Sequence, residues 1–174
     1  MTLTTYYTNP SNLAVIDVSA ITAATKTIDF AAYSLTEPEV IQAVLARAKA
    51  GVQVRLYLDR TELEAEARGD ATLSHSALGQ LTNQPNIAIK VKKSTILMHL
   101  KSYCTDGSTL RDGSANFSPL GEFEQDNSVT FTTDTQALAN FTAKFASMWA
   151  REDNLTIAEA IATSNTSASR PHQR

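Results

Sequence analysis

Apolar positions in the first third of the chain fall into two alternating spacings, one helical and one extended. Leu13, Ile16 and Ala20, with Val15 and Val18 alongside, recur at helical intervals behind Pro10-Ser11-Asn12, a helix start; this helix is expected to run to about Thr25. Thr27–Leu35 (TIDFAAYSL) is dense in strand formers and reads as a buried strand. Thr36-Glu37-Pro38-Glu39 has the form of a capping box with proline near the first turn. The helix it opens, about Glu37–Ala50, carries Val40, Ile41, Val44, Leu45 and Ala48 on one face and closes at Gly51. Val52–Leu58 (VQVRLYL) is a second strand, ending at Asp59. Strand, helix and strand with short links form a right-handed crossover, which requires parallel pairing and predicts an α/β architecture.

Beyond Asp59 the pattern is less regular. Thr61–Asp70 is charged and reads as helical or loose, Leu73–Leu81 as a helix, and Pro85-Asn86 as a breaker. Ile87–Lys92 alternates apolar residues with lysine, a half-exposed strand; Ile96–Thr105 and Asn127–Thr132 are further strands. Over Thr135–Arg151, Leu138, Phe141, Phe145, Met148 and Trp149 form a helical stripe of the kind that packs on a core. The end of the chain, from about Thr163 (SNTSASRPHQR), is polar and expected to be disordered. One domain over 1–154 and a flexible polar tail over 155–174 follow, with no internal repeat.

Length and composition change this picture little. At 174 residues, 43% hydrophobic, the chain can bury a real core, and no apolar run reaches membrane-spanning length. The N-terminus shows no signal-peptide pattern, so the chain reads as cytoplasmic, with an exported mature form as the alternative. A single cysteine, Cys104, excludes an internal disulfide and reads as buried. Net charge is −3, unlike a protein coated for nucleic-acid binding. Yet Ala71–Thr105 holds no acidic residue and contains Lys90, Lys92, Lys93 and Lys101. That stretch is either a basic strip that guides a polyanion or a solvated edge that discourages strand aggregation.

Candidate chemistry concentrates in Met98–Glu122. His99 and Lys101 are two apart and so share one side of a strand. Asp106-Gly107 is a turn dipeptide that favours a tight hairpin, and a return along Thr109–Asp112 brings Ser114 and Asn116 beside His99 and Lys101. An imidazole, an ammonium, a hydroxyl and a carboxamide on one face suit a phosphate. Lysine and asparagine hold non-bridging oxygens, and histidine attacks phosphorus or moves a proton. A single histidine can attack, but the leaving oxygen needs a second proton carrier, and His75 and His172 lie in unrelated contexts. A symmetric dimer supplies the second group. The face offers no pair of carboxylates for Mg²⁺ and too few imidazoles for structural zinc, so no metal or other cofactor is expected.

The spacing His99-x-Lys101-x4-Asp106-x6-Gly113-Ser114-x-Asn116 resembles the HKD signature of the phospholipase D superfamily, with every position filled. Length, the strand–helix–strand opening with its Tyr33-Ser34 and the aromatic last helix resemble the small single-motif bacterial nucleases of the Nuc type. The resemblance implies a mixed, largely parallel sheet flanked by helices, and a homodimer with the active site on the two-fold axis. It also implies two-step, metal-independent phosphodiester hydrolysis through a phosphohistidine on His99, with Lys101, Asn116 and Ser114 on the phosphate. Glu122 is implied to hold the far nitrogen of His99, with Glu124 and Asp126 as alternatives, while Asp106 and Gly113 are structural members of the motif. Compact size favours a sequence-nonspecific nuclease acting on DNA, with RNA as a further substrate. The alternatives are a phospholipase acting on cardiolipin or a similar membrane lipid, which an exposed apolar rim around the site would favour, and a non-catalytic nucleic-acid-binding module.

Overall fold

The computed structural model describes residues 2–9, 11–68, 73 and 76–168. Pro10, Asp70, His75 and His172, named above, lie outside them. Seven strands form one mixed sheet in the order β1-β7-β6-β5-β2-β3-β4, with β1 Leu3–Tyr7, β2 Thr27–Ala32, β3 Gln53–Leu58, β4 Ile87–Val91, β5 Lys101–Thr105, β6 Thr109–Gly113 and β7 Ser128–Thr132. Parallel pairing is confined to β2, β3 and β4. The remaining pairings are antiparallel, so the sheet is mixed as expected but not largely parallel.

The crossover that predicted the parallel part is present. Helix α1 (Leu13–Thr22) is capped by Asn12, whose side chain accepts from Val15 N at 3.2 Å. Helix α2 (Pro38–Lys49) links β2 to β3 and buries Val40, Ile41, Val44, Leu45 and Ala48. Its cap is Glu37 rather than Thr36, because the amides of Thr36 and Glu37 both donate to the Phe117 carbonyl, at 2.7 and 2.9 Å. Helix α3 (Arg60–Glu66) follows β3, and the expected helix over Leu73–Leu81 is a short 3₁₀ turn, Leu78–Leu81. Helix α4 (Thr135–Trp149) covers one face of the sheet, where Phe141, Phe145 and Met148 pack with Ala31, Tyr57, Cys104 and Leu110. Helices α1 and α2 cover the other face over Ile28, Phe30 and Leu56.

Two elements depart from the sequence reading. Strand β1 pairs with β7 at the sheet edge. Its LTTYY alternates exposed and half-buried positions, with no apolar face to announce it. Helix α5 (Ile157–Ala168) stands where a flexible tail is expected, with Ala160 and Ile161 buried in the core. A reciprocal cap starts it: Thr156 N donates to Glu159 Oε2 at 2.7 Å and Glu159 N to Thr156 Oγ1 at 3.2 Å. That Thr-x-x-Glu signal is present in the sequence. Among the described residues no helix is long and apolar enough to cross a membrane.

The lysine stretch does not form one strip. Lys90 lies over the Trp149 ring at 5.1 Å and bonds the Trp149 carbonyl at 2.8 Å, Lys92 caps the carbonyls of Ile96 and Leu97, and Lys101 is buried in the site. The outer edge of β4 is covered at Val91, which exchanges backbone hydrogen bonds with Leu155 at 2.9 Å in both directions.

The hairpin carrying the motif is tight. Asp106 and Gly107 both have positive φ, 54° and 63°, as a type I′ turn demands. The Asp106 carboxylate accepts from the amides of Thr25, Lys26 and Thr27 at 2.7–2.9 Å, pinning the hairpin to the start of β2. Burial alone would raise its pKa, but these bonds win and hold it down at about 2. At the far end Gly113 lies against β7, where an added Cβ would sit 2.2 Å from the Ser128 carbonyl oxygen. Gly113→Ala is therefore expected to lower stability by roughly 1–3 kcal/mol, measured by denaturant melting, because two hydrogen-bonded strands must separate.

Candidate active site

His99 does not lie within a strand. Strand β5 begins at Lys101, opposite Ala32, the last residue of β2. The segment before it is kept extended by other groups. Met98 N donates to Asp59 Oδ2 at 2.7 Å, and the Leu100 carbonyl accepts from Tyr33 N at 2.9 Å. Asp59 also caps α3 with its other oxygen, accepting from Thr61 and Glu62 amides at 2.8 and 3.2 Å. One carboxylate at the end of a parallel strand thus fixes the approach to His99.

His99 and Lys101 nevertheless meet, across Tyr33. The exposed His99 ring stands edge-on to Tyr33 with centroids 4.5 Å apart, and Lys101 Nζ lies 4.9 Å from the Tyr33 centroid. Lys101 is only 6% exposed, and its ammonium donates to the His99 carbonyl at 2.9 Å. Burial lowers its pKa, opposed by the nearby Glu62 carboxylate and assisted by Arg111. The Glu62 carboxylate also raises the pKa of the Tyr33 hydroxyl. Tyr33, Asp59, Glu62 and Glu66 line a cavity of about 180 Å³ beside this cluster.

The connection after β2 reaches the other half of the motif as well. Leu35 bridges Phe117, which directly follows Asn116. Asn116 is half-buried, and its amide oxygen is enclosed without a hydrogen-bond partner. The next turn, a π-helical one over Leu120–Glu124, packs so closely that a Cβ on Gly121 would lie 2.4 Å from the Asn116 carbonyl oxygen. Ser114 is exposed, but its hydroxyl donates to Asn127 Oδ1 at 2.9 Å and accepts from Ser128 N at 3.0 Å. A phosphate contact at Ser114 requires exchanging one of these bonds.

Glu122 is not placed on His99. Its carboxyl is fully buried, has no hydrogen-bond partner in its present geometry, and lies 3.6 Å from Arg111 Nη2. Burial, then repulsion from Asp17, pushes its pKa up to about 9 despite the arginine. Glu124 and Asp126 are exposed. A carboxyl that holds its proton only when folded stabilises the protein at low pH; that contribution falls as pH rises from the ordinary carboxylate range towards 9. Wild type is therefore expected to lose melting temperature between about pH 5.5 and 8.5. Glu122→Gln should lose distinctly less over the same interval, as read by thermal melts.

Sequence reasoning missed Asp17, Asp59, Glu62 and Arg111. Asp59 had a signal, its position at the carboxyl end of a parallel strand, where open α/β sheets build their sites. Arg111 and Asp17 had none, being lone charged residues in a strand and a helix. Among the described residues no group of His, Cys, Asp and Glu is arranged to hold a metal ion.

Residues 18–149 match the family described as "Cardiolipin synthase, PLD-like domain", and the chain belongs to that family, within the phospholipase D superfamily. The mitochondrial cardiolipin hydrolase of Chlamydomonas reinhardtii is 26% identical over 127 residues, 73% of this chain. The chain spans about half, 53%, of that relative's length. Among solved structures, NucT from Helicobacter pylori superposes with a TM-score of 0.73 at 20% identity, covering 85% of this chain and 95% of that one. Nuc from Salmonella typhimurium, a phospholipase D family member, gives 0.70 at 22% identity, covering 88% and 97%. The fold is theirs.

Proposed function

We propose that the protein is a metal-independent phosphodiesterase, and specifically a sequence-nonspecific endonuclease acting on DNA, with RNA as a further substrate. The observation that carries this reading is the convergence of His99 and Lys101 on Tyr33, with the Asn116 segment latched to the same connection. His99 is exposed and positioned by its backbone, as a nucleophile must be to approach phosphorus in line. Lys101 offers a desolvated charge, worth more to a developing phosphorane than a solvated one. The attacking imidazole nitrogen forms the bond to phosphorus, and the leaving alkoxide takes a proton from a second imidazole. That imidazole then removes a proton from the water that cleaves the phosphohistidine. Glu124 and Asp126, both exposed and just beyond the motif, are the carboxylates we assign to orienting a histidine.

The second imidazole comes from a second copy, with the site on the two-fold axis. Ile96 and Leu97, 77% and 45% exposed, precede His99, and the exposed Leu120 and Phe123 follow Asn116. Exposed apolar residues next in sequence to both halves of an incomplete site suit a surface closed by a like copy. The expected state in sedimentation is a dimer; a fully active monomer would overturn this part of the reading.

The same exposed apolar residues support a second reading, a hydrolase of cardiolipin or a similar diester, in line with the name of the curated relative. The two separate on substrate: plasmid and single-stranded DNA against vesicles of cardiolipin in phosphatidylcholine, all with EDTA. DNA cleavage without lipid turnover is the expected outcome, and lipid turnover alone would replace the nuclease reading.

A further inference from the structure

Arg111 is the bulkiest fully buried side chain of the described residues, and nothing in the proposed chemistry uses it. It sits on β6 opposite Tyr103 of β5 and points towards α1. There its Nε and Nη2 form a fork on Asp17, at 3.1 Å to Oδ1 and 2.8 Å to Oδ2. The Tyr103 hydroxyl donates to the same Asp17 Oδ1 at 2.9 Å. The guanidinium plane lies 4.2 Å from the Phe117 centroid. A buried ion pair is a poor means of adding stability, since apolar residues of like volume serve as well.

What an apolar residue cannot do is bond two carbonyls. The register of β5 with β6 runs from Thr105↔Thr109 to Tyr103↔Arg111 and stops short of Lys101. The strands part at the site, leaving the buried Lys101 carbonyl without a ladder partner from β6. Arg111 Nη1 takes it at 2.7 Å, and the same nitrogen takes the Ala115 carbonyl at 3.1 Å. Ala115 lies between Ser114 and Asn116. One planar group therefore spans the segment bearing His99 and Lys101 and the segment bearing Ser114 and Asn116. A lysine, with a single nitrogen, could not hold Asp17 and both carbonyls together.

We propose that Arg111 is the positioning residue of the phosphate site, anchored by Asp17 and Tyr103 so that it sets Lys101 against Asn116. This rests on the reading of His99, Lys101 and Asn116 as the reacting set. Arg111 itself touches no substrate. Its removal acts through misplacement, which for a preorganised site costs about 100-fold in rate per ångström.

The test is steady-state hydrolysis of bis(p-nitrophenyl) phosphate by wild type, Tyr103→Phe, Asp17→Asn and Arg111→Lys, each assayed well below its own melting midpoint. The expected kcat losses are graded, about 3-fold, about 10-fold and about 100-fold, with KM changed much less. A purely structural role would lower the midpoints and leave kcat alone. Folded variants with wild-type kcat would overturn the proposal. Should Asp17→Asn and Arg111→Lys fail to fold, Tyr103→Phe decides, because it removes one hydrogen bond at constant volume; an unchanged kcat there overturns it too. A wild type that is folded and dimeric yet cleaves no diester overturns the phosphate-site reading itself, a result distinct from equal activity across the series.

Discussion

His99→Ala is expected to abolish phosphodiester hydrolysis, a loss of about 10⁴- to 10⁶-fold, with the fold untouched. Both halves of that expectation come from where the imidazole sits. It is exposed and, among the described residues, its ring contact is Tyr33, so truncation leaves no core cavity and no buried partner unmet. The groups that hold the segment are backbone groups of Met98 and Leu100, and the carbonyl that Lys101 bonds is the backbone of residue 99, which alanine keeps. Superimposable circular dichroism and an unchanged melting midpoint should accompany the loss. Retained turnover would mean that His99 is not the nucleophile.

Lys101→Met carries the second largest effect, and it should separate activity from stability. The ammonium is buried, its hydrogen bond among the described residues runs to the neighbouring His99 carbonyl, and its pKa is lowered chiefly by burial. A desolvated cation held this way costs the folded state and helps only when a phosphoryl charge develops beside it. Methionine has similar length and no charge. The expected result is a fall in kcat of about 10²- to 10³-fold together with a melting midpoint that is unchanged or higher. A large drop in the midpoint would make Lys101 a structural residue, held in place for Glu62 and Tyr33 rather than for substrate.

The parts of this molecule legible in the sequence are those set by local chemistry. Asp106-Gly107 specifies its turn through positive φ at two successive positions, and the α4 stripe specifies its buried face by period alone. The crossover through α2 follows from its short links, which leave one handedness and one strand direction. The i, i+2 spacing of His99 and Lys101 gives only part of the reason they meet: the two share a side through Tyr33 and Asp59 rather than through a strand's pleat. Glu122 shows where spacing fails. Its distance along the chain from Asn116 suits a carboxylate for His99, but whether that carboxylate faces the histidine or the interior depends on Arg111 and Asp17. Those lie 11 residues before it and in α1, and no local pattern links them. Helix α5 failed differently, since the short side chains of Ile157–Ala168 read as polar tail until its core-facing alanine and isoleucine are seen against α3 and β4. Strand β1 buries only part of Tyr6 on its inner face, too little to announce it, and its partner β7 makes it a strand.

The bond proposed between His99 and phosphorus can be trapped. Wild type and His99→Ala are mixed with a labelled single-stranded oligonucleotide in EDTA, quenched in alkali, which preserves phosphohistidine, and run under denaturing conditions. Wild type is expected to carry a labelled adduct, lost on acid treatment, mapping to the peptide that contains His99 and amounting to at most one per dimer. Rapid cleavage with no adduct at any time before the steady state, or an adduct that persists in His99→Ala, would contradict it.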